Sequence, residues 1–477
     1  MHAKTQRRNE IHVFLCVFAS LRAIFFYFHQ TLTSMFSRRY ISITIIVFIA
    51  QIFAVESQIP KKGDAFPLWK EGYLDLHHIN TGRGDVAYYI FPDGTTMLFD
   101  AGEQDPTDPR THSARNTMIR PNNSKRAYEW IAHYIKQVAP STRKLVINYA
   151  ILSHFHEDHM GSFYQNAPRS AKGNYALTGI TGIAELIPVE VLLDRGYPAY
   201  NIPYDMKSAA FEERLKANPS SYKYWRTMNN YFSFVNQREK EKLSTGNVLA
   251  GSRTQVHMRY ASLKFPTFFV RSVKCNGRIW TGNDTTTTEH FPMFRPDDPK
   301  THPTENALSQ VITINYGDFV YYTGGDLPGN IGYGQPSWMD METPVAKAVG
   351  AVDIATMDHH GNRDALNEFM VRTLRPRVWI EQVWSSDHPG HEVLIRATTP
   401  FLYEGPRDIF ATNMMQANRD VIGPLIDRSY KSQQGHILVR VLPGGKSYYV
   451  IILDDAVETL QVKDVFGPYE VKSKSKI

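Results

Sequence analysis

Residues 153–161 read Ser153-His154-Phe155-His156-Glu157-Asp158-His159-Met160-Gly161, the densest group of histidines in a chain of 477 residues. The apolar run before it, Leu145 to Leu152, predicts a buried strand that leads straight into this group. Histidines two apart at the end of a strand project to the same side, and the aspartate and third histidine then occupy the turn that follows. The segment therefore predicts two pairs of metal ligands at one strand end.

The residue types in this group indicate which metals it would hold. Imidazole and carboxylate suit zinc best, with manganese and iron as alternatives. A solvated histidine-rich loop is the structural alternative. The strand that leads into the group and Gly161 after it favour a metal site.

Two later strand ends carry groups of the same chemical kind. The predicted strand Phe319 to Tyr322 ends in Thr323-Gly324-Gly325-Asp326, and the predicted strand Val352 to Met357 ends in Asp358-His359-His360-Gly361. A carboxylate after two glycines can approach closely enough to bridge two cations, and the second group supplies another imidazole. Each segment alone fits a turn as well as a ligand, but together with the first group they predict a dinuclear site.

A dinuclear site of this kind supports metal-assisted hydrolysis. Two cations about 3.5–4 Å apart lower the pKa of a bridging water to near 7, and the resulting hydroxide attacks phosphorus or a carbonyl carbon. The protein then has to position the substrate and protonate the leaving group. The candidate catalytic residues are Asp158, which is also a candidate ligand, and His359 and His388, which are alternative proton donors.

The rest of the chain mixes strands and helices without a strict alternating repeat, which favours an α/β sandwich over a doubly wound sheet. Apolar runs predict strands at Val86 to Phe91 and Thr96 to Phe99, helical spacing predicts a helix over 125–137, and two late runs joined by Pro443-Gly444-Gly445 predict a C-terminal hairpin. Residues 195–300 are polar and tyrosine-rich, and we predict that they form a large insertion beside the site.

Residues 1–57 have the composition of a leader that precedes a hydrolase domain over 58–477. Two arginines precede an apolar run at 40–54, and small residues follow it, as in a secretory signal peptide. This run is short for a transmembrane helix, which needs roughly 20 apolar residues. A retained membrane anchor is the alternative interpretation. We expect a secreted or periplasmic protein, with residues 1–34 as a misannotated extension upstream of Met35.

Charge and cysteine content narrow the expected partners. The chain has a formal net charge of +6, but 1–57 hold six of its 53 basic and two of its 47 acidic residues, which leaves 47 basic and 45 acidic residues and a net charge of +2. That balance does not support a strong nucleic-acid footprint. We expect a small-molecule or single-stranded phosphodiester substrate and no stable protein partner. Beyond the leader Cys275 is the single cysteine, so no intrachain disulfide is expected.

The motifs together make the chain resemble the metallo-β-lactamase-fold hydrolases and, within them, the hydrolase domain of ComEC-type DNA-uptake proteins. The matching motifs, in chain order, are Gly82-Arg83-Gly84-Asp85, Asp100-Ala101-Gly102, the run from His154 to His159, Asn306 with Ser309, Thr323 to Asp326, His359-His360-Gly361 and His388-Pro389. The membrane channel of ComEC proteins has no counterpart in this sequence, so DNA uptake itself does not carry over.

The resemblance implies an αββα four-layer sandwich with a site for two zinc ions at the sheet edge. It assigns His154 and His156 to one metal, Asp158, His159 and His360 to the other, and Asp326 to a bridging position. It leaves His359 to contact the substrate or donate a proton, although His359 and His360 could exchange roles. Asp100 either orients a ligand histidine or caps a turn.

Many members of this superfamily place one more ligand histidine between the first cluster and the bridging carboxylate. The candidates here are His257, His290 and His302, none of which lies at an obvious strand end, so we expect surface or insertion residues. Phosphodiesterase-like members also lack that ligand, which favours a secreted phosphodiesterase. The alternatives are a lactonase- or β-lactamase-like hydrolase of carboxylic esters or amides, and a non-catalytic protein that keeps the metals for structural reasons.

Overall fold

The computed structural model describes residues 59–295, 298–329, 332 and 334–471. The chain divides into two compact units, Met1–Pro60 and Lys61–Ile477, and every strand and helix among the described residues belongs to the second. The predicted leader, residues 1–57, lies outside the described residues. Within them, no helix combines the length and the apolar character needed to cross a membrane.

The described part of the chain contains eighteen strands and ten α-helices. The strands are β1 Leu74–His78, β2 Ala87–Ile90, β3 Thr96–Phe99, β4 Ile147–Ile151, β5 Val189–Asp194, β6 Ser244–Asn247, β7 Phe268–Cys275, β8 Arg278–Trp280, β9 Thr287–Glu289, β10 Val311–Tyr316, β11 Phe319–Thr323, β12 Ile354–Thr356, β13 Val378–Glu381, β14 Asp408–Ala411, β15 Tyr430–Ser432, β16 His436–Val441, β17 Ser447–Leu453 and β18 Val462–Glu470. The helices are α1 Ala127–Val138, α2 Glu157–Met160, α3 Gly179–Leu186, α4 Ala209–Lys216, α5 Pro219–Lys240, α6 Glu342–Val349, α7 Glu368–Leu374, α8 His391–Thr398, α9 Gln416–Ile422 and α10 Pro424–Ser429.

The strands form two mixed sheets of nine strands each. The first sheet has the order β18-β17-β16-β1-β2-β3-β4-β5-β6, antiparallel from β18 to β3 and parallel from β3 to β6. The second has the order β15-β14-β13-β12-β11-β10-β7-β8-β9, parallel from β15 to β11 and antiparallel from there to β9. Each sheet thus joins an antiparallel half to a parallel half.

Alternation along single strands shows how the layers stack. Tyr89 of β2 and Tyr321 of β11 belong to one apolar cluster between the two sheets, and their hydroxyls lie 3.0 Å apart. The neighbouring Tyr88 instead packs in a second cluster with α1, α3 and α5, and Tyr322 packs in a third with α6, α7 and α8. Because successive strand residues face opposite sides of a sheet, helices cover both outer faces. The predicted αββα four-layer sandwich is confirmed.

The strands and the helix that local patterns predicted are observed to within two residues at each end. The strand Thr96–Phe99 has the predicted bounds, the helix predicted over 125–137 is observed at Ala127–Val138, and β16 and β17 form the C-terminal hairpin. The strands are short apolar runs, most of them buried along their whole length, and the helix has helical spacing of buried residues. Both are signals that the sequence carries.

Residues 195–300 contribute more to the sandwich than their polar composition suggests. They carry α4 and the long helix α5, but also β6 at the edge of the first sheet and β7 between β10 and β8 in the second. Six residues of β7 pair with all six residues of β10, and the strand is almost wholly buried. The polar signal came from the helices and turns, and it concealed three strands of the second sheet, β7, β8 and β9.

Candidate metal centre

The site lies where strands of both sheets end. In the first sheet β3 and β4 are parallel, and in the second sheet β11, β12 and β13 are parallel. Carboxyl ends of parallel strands meet at one edge of a sheet, so the segments that follow these strands converge. Those segments carry Asp100, the run from His154 to His159, Asp326, the pair His359-His360 and His388.

The structure gathers the predicted ligands into two groups that share one carboxylate. One group is His154, His156 and Asp326, and the other is Asp158, His159, His360 and Asp326, with the ligand atoms of each group within 4.8 Å of one another. Asp326 Oδ2 lies 3.6 Å from His154 Nε2, and Asp326 Oδ1 lies 2.9 Å from His159 Nε2 and 3.3 Å from His360 Nε2. The residues come together in the predicted division, while coordination of a metal by each of them stays a prediction.

Buried polar atoms test whether this cluster suits a cation. Among the described residues, His159 Nε2 and Asp326 Oδ1 are buried and make no hydrogen bond of normal geometry, although they lie only 2.9 Å apart. A buried polar atom without a partner costs roughly 1–3 kcal/mol. A cation bound between these atoms removes that cost, and imidazole with carboxylate is a donor set that zinc accepts. The cluster therefore fits metal binding.

Burial and charge act in opposite directions on the ionisable groups of this cluster. Burial by itself would raise the pKa of Asp326, but the four surrounding histidines outweigh it and hold that pKa well below its ordinary value. Burial would lower the pKa of His159, but the carboxylates of Asp326, Asp158 and Asp100 hold it well above its ordinary value. The Asp326 carboxylate therefore stays ionised, which is the form that binds a cation.

Asp100 fixes the orientation of His159 and also holds the turn after β4. Its Oδ2 lies 2.8 Å from His159 Nδ1, and its Oδ1 accepts a hydrogen bond of 2.6 Å from the Ser153 N–H. The Ser153 hydroxyl in turn lies 3.0 Å from His154 Nδ1. One side chain thus fills both of the roles predicted as alternatives for it.

Two glycines let the first hairpin approach the backbone of the histidine motif. The Asp85 N–H donates to the carbonyl of Asp158 at 2.8 Å. A Cβ atom at Gly84 or Gly102 would lie 2.4 or 2.0 Å from that same carbonyl oxygen, and Gly84 has a φ of +139°. The glycines of these two motifs are therefore required by close packing against Asp158.

The structure distinguishes the two adjacent histidines after β12. His360 Nε2 lies 3.2 Å from Asp158 Oδ2, so His360 belongs to the second ligand group. His359 turns its Nδ1 to Asp364 Oδ1 at 2.5 Å and its Nε2 to the Asn306 amide at 3.2 Å. Its Nε2 still lies 3.7 Å from Asp326 Oδ2, so His359 borders the ligand cluster without belonging to either group.

A cavity of about 380 Å³ opens beside the second ligand group. His359, His360 and His388 line it, and the His388 ring stacks on the His360 ring with centroids 4.6 Å apart. Arg110 and Arg115, from the loop between β3 and α1, also line this cavity. The predicted proton donors His359 and His388 therefore both face a space that can admit a substrate.

The three candidate histidines between the first cluster and Asp326 make their contacts elsewhere. His257 Nδ1 lies 3.1 Å from the carbonyl of Thr254, His290 Nε2 lies 3.1 Å from the carbonyl of Asp340, and His302 Nε2 lies 2.9 Å from the carbonyl of Arg295. None of the three occurs in a ligand group formed by the described residues. This placement agrees with the expectation that they are surface or insertion residues.

Sequence reasoning missed three supporting residues. Asp85 Oδ1 lies 2.9 Å from His360 Nδ1, the Trp384 indole N–H donates to His360 Nε2 at 3.3 Å, and Glu305 Oε1 accepts the N–H of Phe155 at 2.8 Å. Asp85 ends the motif Gly82-Arg83-Gly84-Asp85, for which the sequence indicated no chemical role. No sequence signal marked Trp384 or Glu305, because each reaches the site only through the packing of distant segments.

Two facing mixed sheets with helices on both outer faces, and a buried His/Asp cluster at their common edge, define a metallo-β-lactamase-fold protein. The motif order and the strand ends that carry each motif lead to the same class.

No protein-family model matches the sequence, and no curated protein matches it. Among solved structures, the chain is similar to a mutant of the CmlA β-hydroxylase, with 12% identity over 77% of this chain and 54% of that chain and a TM-score of 0.33. It is also similar to Zn²⁺-bound PqqB from Methylobacterium extorquens, with 10% identity over 74% of this chain and 86% of that chain and a TM-score of 0.31. The matched region spans about half of the CmlA chain. Likenesses this distant say nothing about the reaction.

Proposed function

We propose that this protein is a dinuclear metal-dependent hydrolase that cleaves phosphodiesters. The observation that carries the proposal is the pair of buried ligand groups that share Asp326, which is the arrangement expected of a carboxylate that bridges two cations. We assign two zinc ions to these groups, with manganese or iron as alternatives, because the donors are imidazole and carboxylate.

Two bound metal ions would supply a water of lowered pKa and a Lewis acid for the substrate oxygens. The chain's own residues orient the substrate and protonate its leaving group. His359 is the proposed proton donor, since Asp364 holds its Nδ1 while its Nε2 faces the ligand cluster. His388 is the alternative donor and forms part of the cavity wall. Asp158 acts through its carboxylate as a ligand beside His360.

The cavity supports an anionic substrate of limited size. The two arginine side chains are similarly exposed, at 71% and 72%, but Arg110 is held by three contacts of 2.7–3.2 Å to Asp108, whereas Arg115 has one contact of 3.4 Å to Asp387. Arg115 is therefore the cation in this wall that is more readily available to a substrate phosphate. With the near-neutral charge of residues 58–477, this favours a small or single-stranded phosphodiester over duplex nucleic acid.

The finer likeness to ComEC-type hydrolase domains belongs to this proposal, as does export through the predicted leader to a secreted or periplasmic location. The runner-up activity, hydrolysis of a lactone, β-lactam or other carboxylic ester or amide, would favour a histidine ligand from residues 195–300. The contacts of His257, His290 and His302 give that reading no support.

The test is to load the full-length protein with zinc, measure metal per chain, and assay bis-p-nitrophenyl phosphate beside a lactone and a β-lactam. We expect two ions per chain and turnover of the phosphodiester. Turnover confined to the lactone or β-lactam would replace the proposal by the runner-up. Two ions without turnover of any of the three would favour a non-catalytic metal protein.

A further inference from the structure

Residues 305–310 include a 3-10 turn at Asn306–Leu308, lead into β10 and contact the ligand cluster from both sheets. On the side of the first sheet, Glu305 Oε1 accepts the Phe155 N–H at 2.8 Å and the Gln310 amide donates to the Leu152 carbonyl at 2.7 Å. On the side of the second sheet, the Ser309 hydroxyl accepts the N–H of Asp326 at 3.2 Å. This segment therefore ties the histidine motif to the strand end that carries the shared carboxylate.

Glu305 is the charged member of this segment, and Arg195 holds it firmly. Arg195 Nε and Nη2 lie 2.6 and 2.5 Å from the two carboxylate oxygens, and the Tyr224 hydroxyl donates to Oε2 at 3.1 Å. The Arg195 guanidinium also lies 4.3 Å from the centre of the Phe155 ring. Burial alone would raise the pKa of Glu305, but Arg195 outweighs it and holds that pKa below its ordinary value. The ionised Glu305 carboxylate, held in place by Arg195, therefore accepts the Phe155 N–H from a fixed position.

The position of Phe155 directs the effect of this hydrogen bond to one ligand group. Phe155 lies between His154 and His156, the two histidines of the first ligand group. The hydrogen bond to its peptide N–H therefore holds the backbone from which both imidazoles project. Glu305 itself belongs to neither ligand group. Groups that orient metal ligands from behind typically change metal affinity 10–100-fold when they are removed.

We propose that Glu305, anchored by Arg195, is a positioning residue for the metal site formed by His154 and His156, and that it acts on this half of the centre and not on the other. The proposal rests on the two-metal centre of the proposed function. Asp85 offers the matched comparison, because it lies 2.9 Å from His360 Nδ1 and so supports the opposite half.

The experiment separates the halves by removing one ligand at a time. The His360→Ala background removes a ligand of the second group and leaves the site of His154 and His156 better preserved. The His154→Ala background removes a ligand of the first group and leaves the site of Asp158, His159 and His360 better preserved. Each background is combined with Glu305→Gln or Asp85→Asn in the full-length protein. Free Zn²⁺ is set with a series of chelator buffers, and metal per chain is measured at each concentration.

We expect Glu305→Gln to weaken zinc binding about 10–100-fold in the His360→Ala background and to leave it within about twofold in the His154→Ala background. Asp85→Asn should show the reverse selectivity. Equal weakening in both backgrounds, or no change in either, would overturn the inference even where the wild-type protein binds two ions. A wild-type protein that binds fewer than two ions contradicts the proposed function as well.

Glu305→Gln leaves the buried Arg195 without its charge partner, and that can prevent folding. Arg195→Lys is the second variant, since it keeps the charge but loses the two-point grip on the carboxylate. We expect Arg195→Lys to weaken zinc binding in the His360→Ala background and not in the His154→Ala background, as Glu305→Gln does, but by a smaller factor. Thermal unfolding of the metal-free variants, compared with the metal-free parent, establishes that each one folds.

Discussion

The two halves of the candidate metal centre are built in different ways. On the first sheet, His154, His156, Asp158 and His159 come from one strand end and one short helix, α2. On the second sheet, Asp326 and His360 come from different strands, and their positions depend on how β11 and β12 pair. The contiguous half is placed by local backbone geometry, whereas the dispersed half is placed by sheet packing. Substitutions in the two halves should therefore fail in different ways.

The substitution with the largest expected effect is Asp326→Ala, because Asp326 belongs to both ligand groups. We expect loss of both ions and a fall in hydrolytic rate of about 10³-fold or more. Metal per chain and phosphodiester turnover check the prediction. Retention of two ions at wild-type affinity would show that Asp326 is not a ligand shared by the two groups.

A second test disturbs the contiguous half through its backbone. Gly102→Ala places a Cβ 2.0 Å from the carbonyl oxygen of Asp158, which cannot move without moving the motif. We expect a loss of about 3 kcal/mol of unfolding free energy, as for severe overpacking. The control is Gly246→Ala, whose Cβ meets only the tip of the Leu193 side chain at 3.3 Å. Urea unfolding of both variants should separate them clearly.

A third test uses pH. Behind the contiguous half, the Glu103 carboxylate accepts hydrogen bonds from the N–H groups of Tyr128 and Gly179, and burial raises the pKa of Glu103 from its ordinary value of 4.5 to about 7. A raised carboxyl pKa means that its contribution to stability is fully present below pH 4.5 and is lost as pH rises through 7.

Glu103→Gln should remove that pH dependence, so the variant should gain up to about 3 kcal/mol relative to the wild type between pH 4.5 and 8. Urea unfolding of the metal-free proteins at both pH values measures the difference. A constant gap between variant and wild type at the two pH values would contradict the prediction.

The smallest expected effect lies at the cavity wall. Arg115→Ala should raise the KM for the phosphodiester about fivefold with little change in kcat, since an exposed charge contributes about 1 kcal/mol. Turnover of an uncharged ester, where measurable, serves as the internal control. Equal effects on charged and uncharged substrates would remove Arg115 from substrate recognition.

Much of the candidate site could be predicted because its residue types recur at strand ends, where short apolar runs stop. The run from His154 to His159, Asp326 and His360 were all found in this way, and they come together in the structure. The same reasoning could not choose between His359 and His360, since the two residues are adjacent and both follow β12. Both have positive φ values, 47° and 55°, so the alternation of a strand does not set the direction of their side chains. It also missed β7, because the polar composition around that strand masked eight buried or partly buried residues.

By itself, the sequence predicted the His/Asp character of the site, two groups of candidate ligands that share Asp326, and the sandwich class. These follow from local spacing and from the order of strand ends along the chain. Only the tertiary structure decided that His360 faces the ligands, that Asp85 and Glu305 support opposite halves, and that Arg115 borders the cavity. Those contacts join residues far apart in the chain, and their side-chain directions depend on how the two sheets pack, which no local pattern encodes.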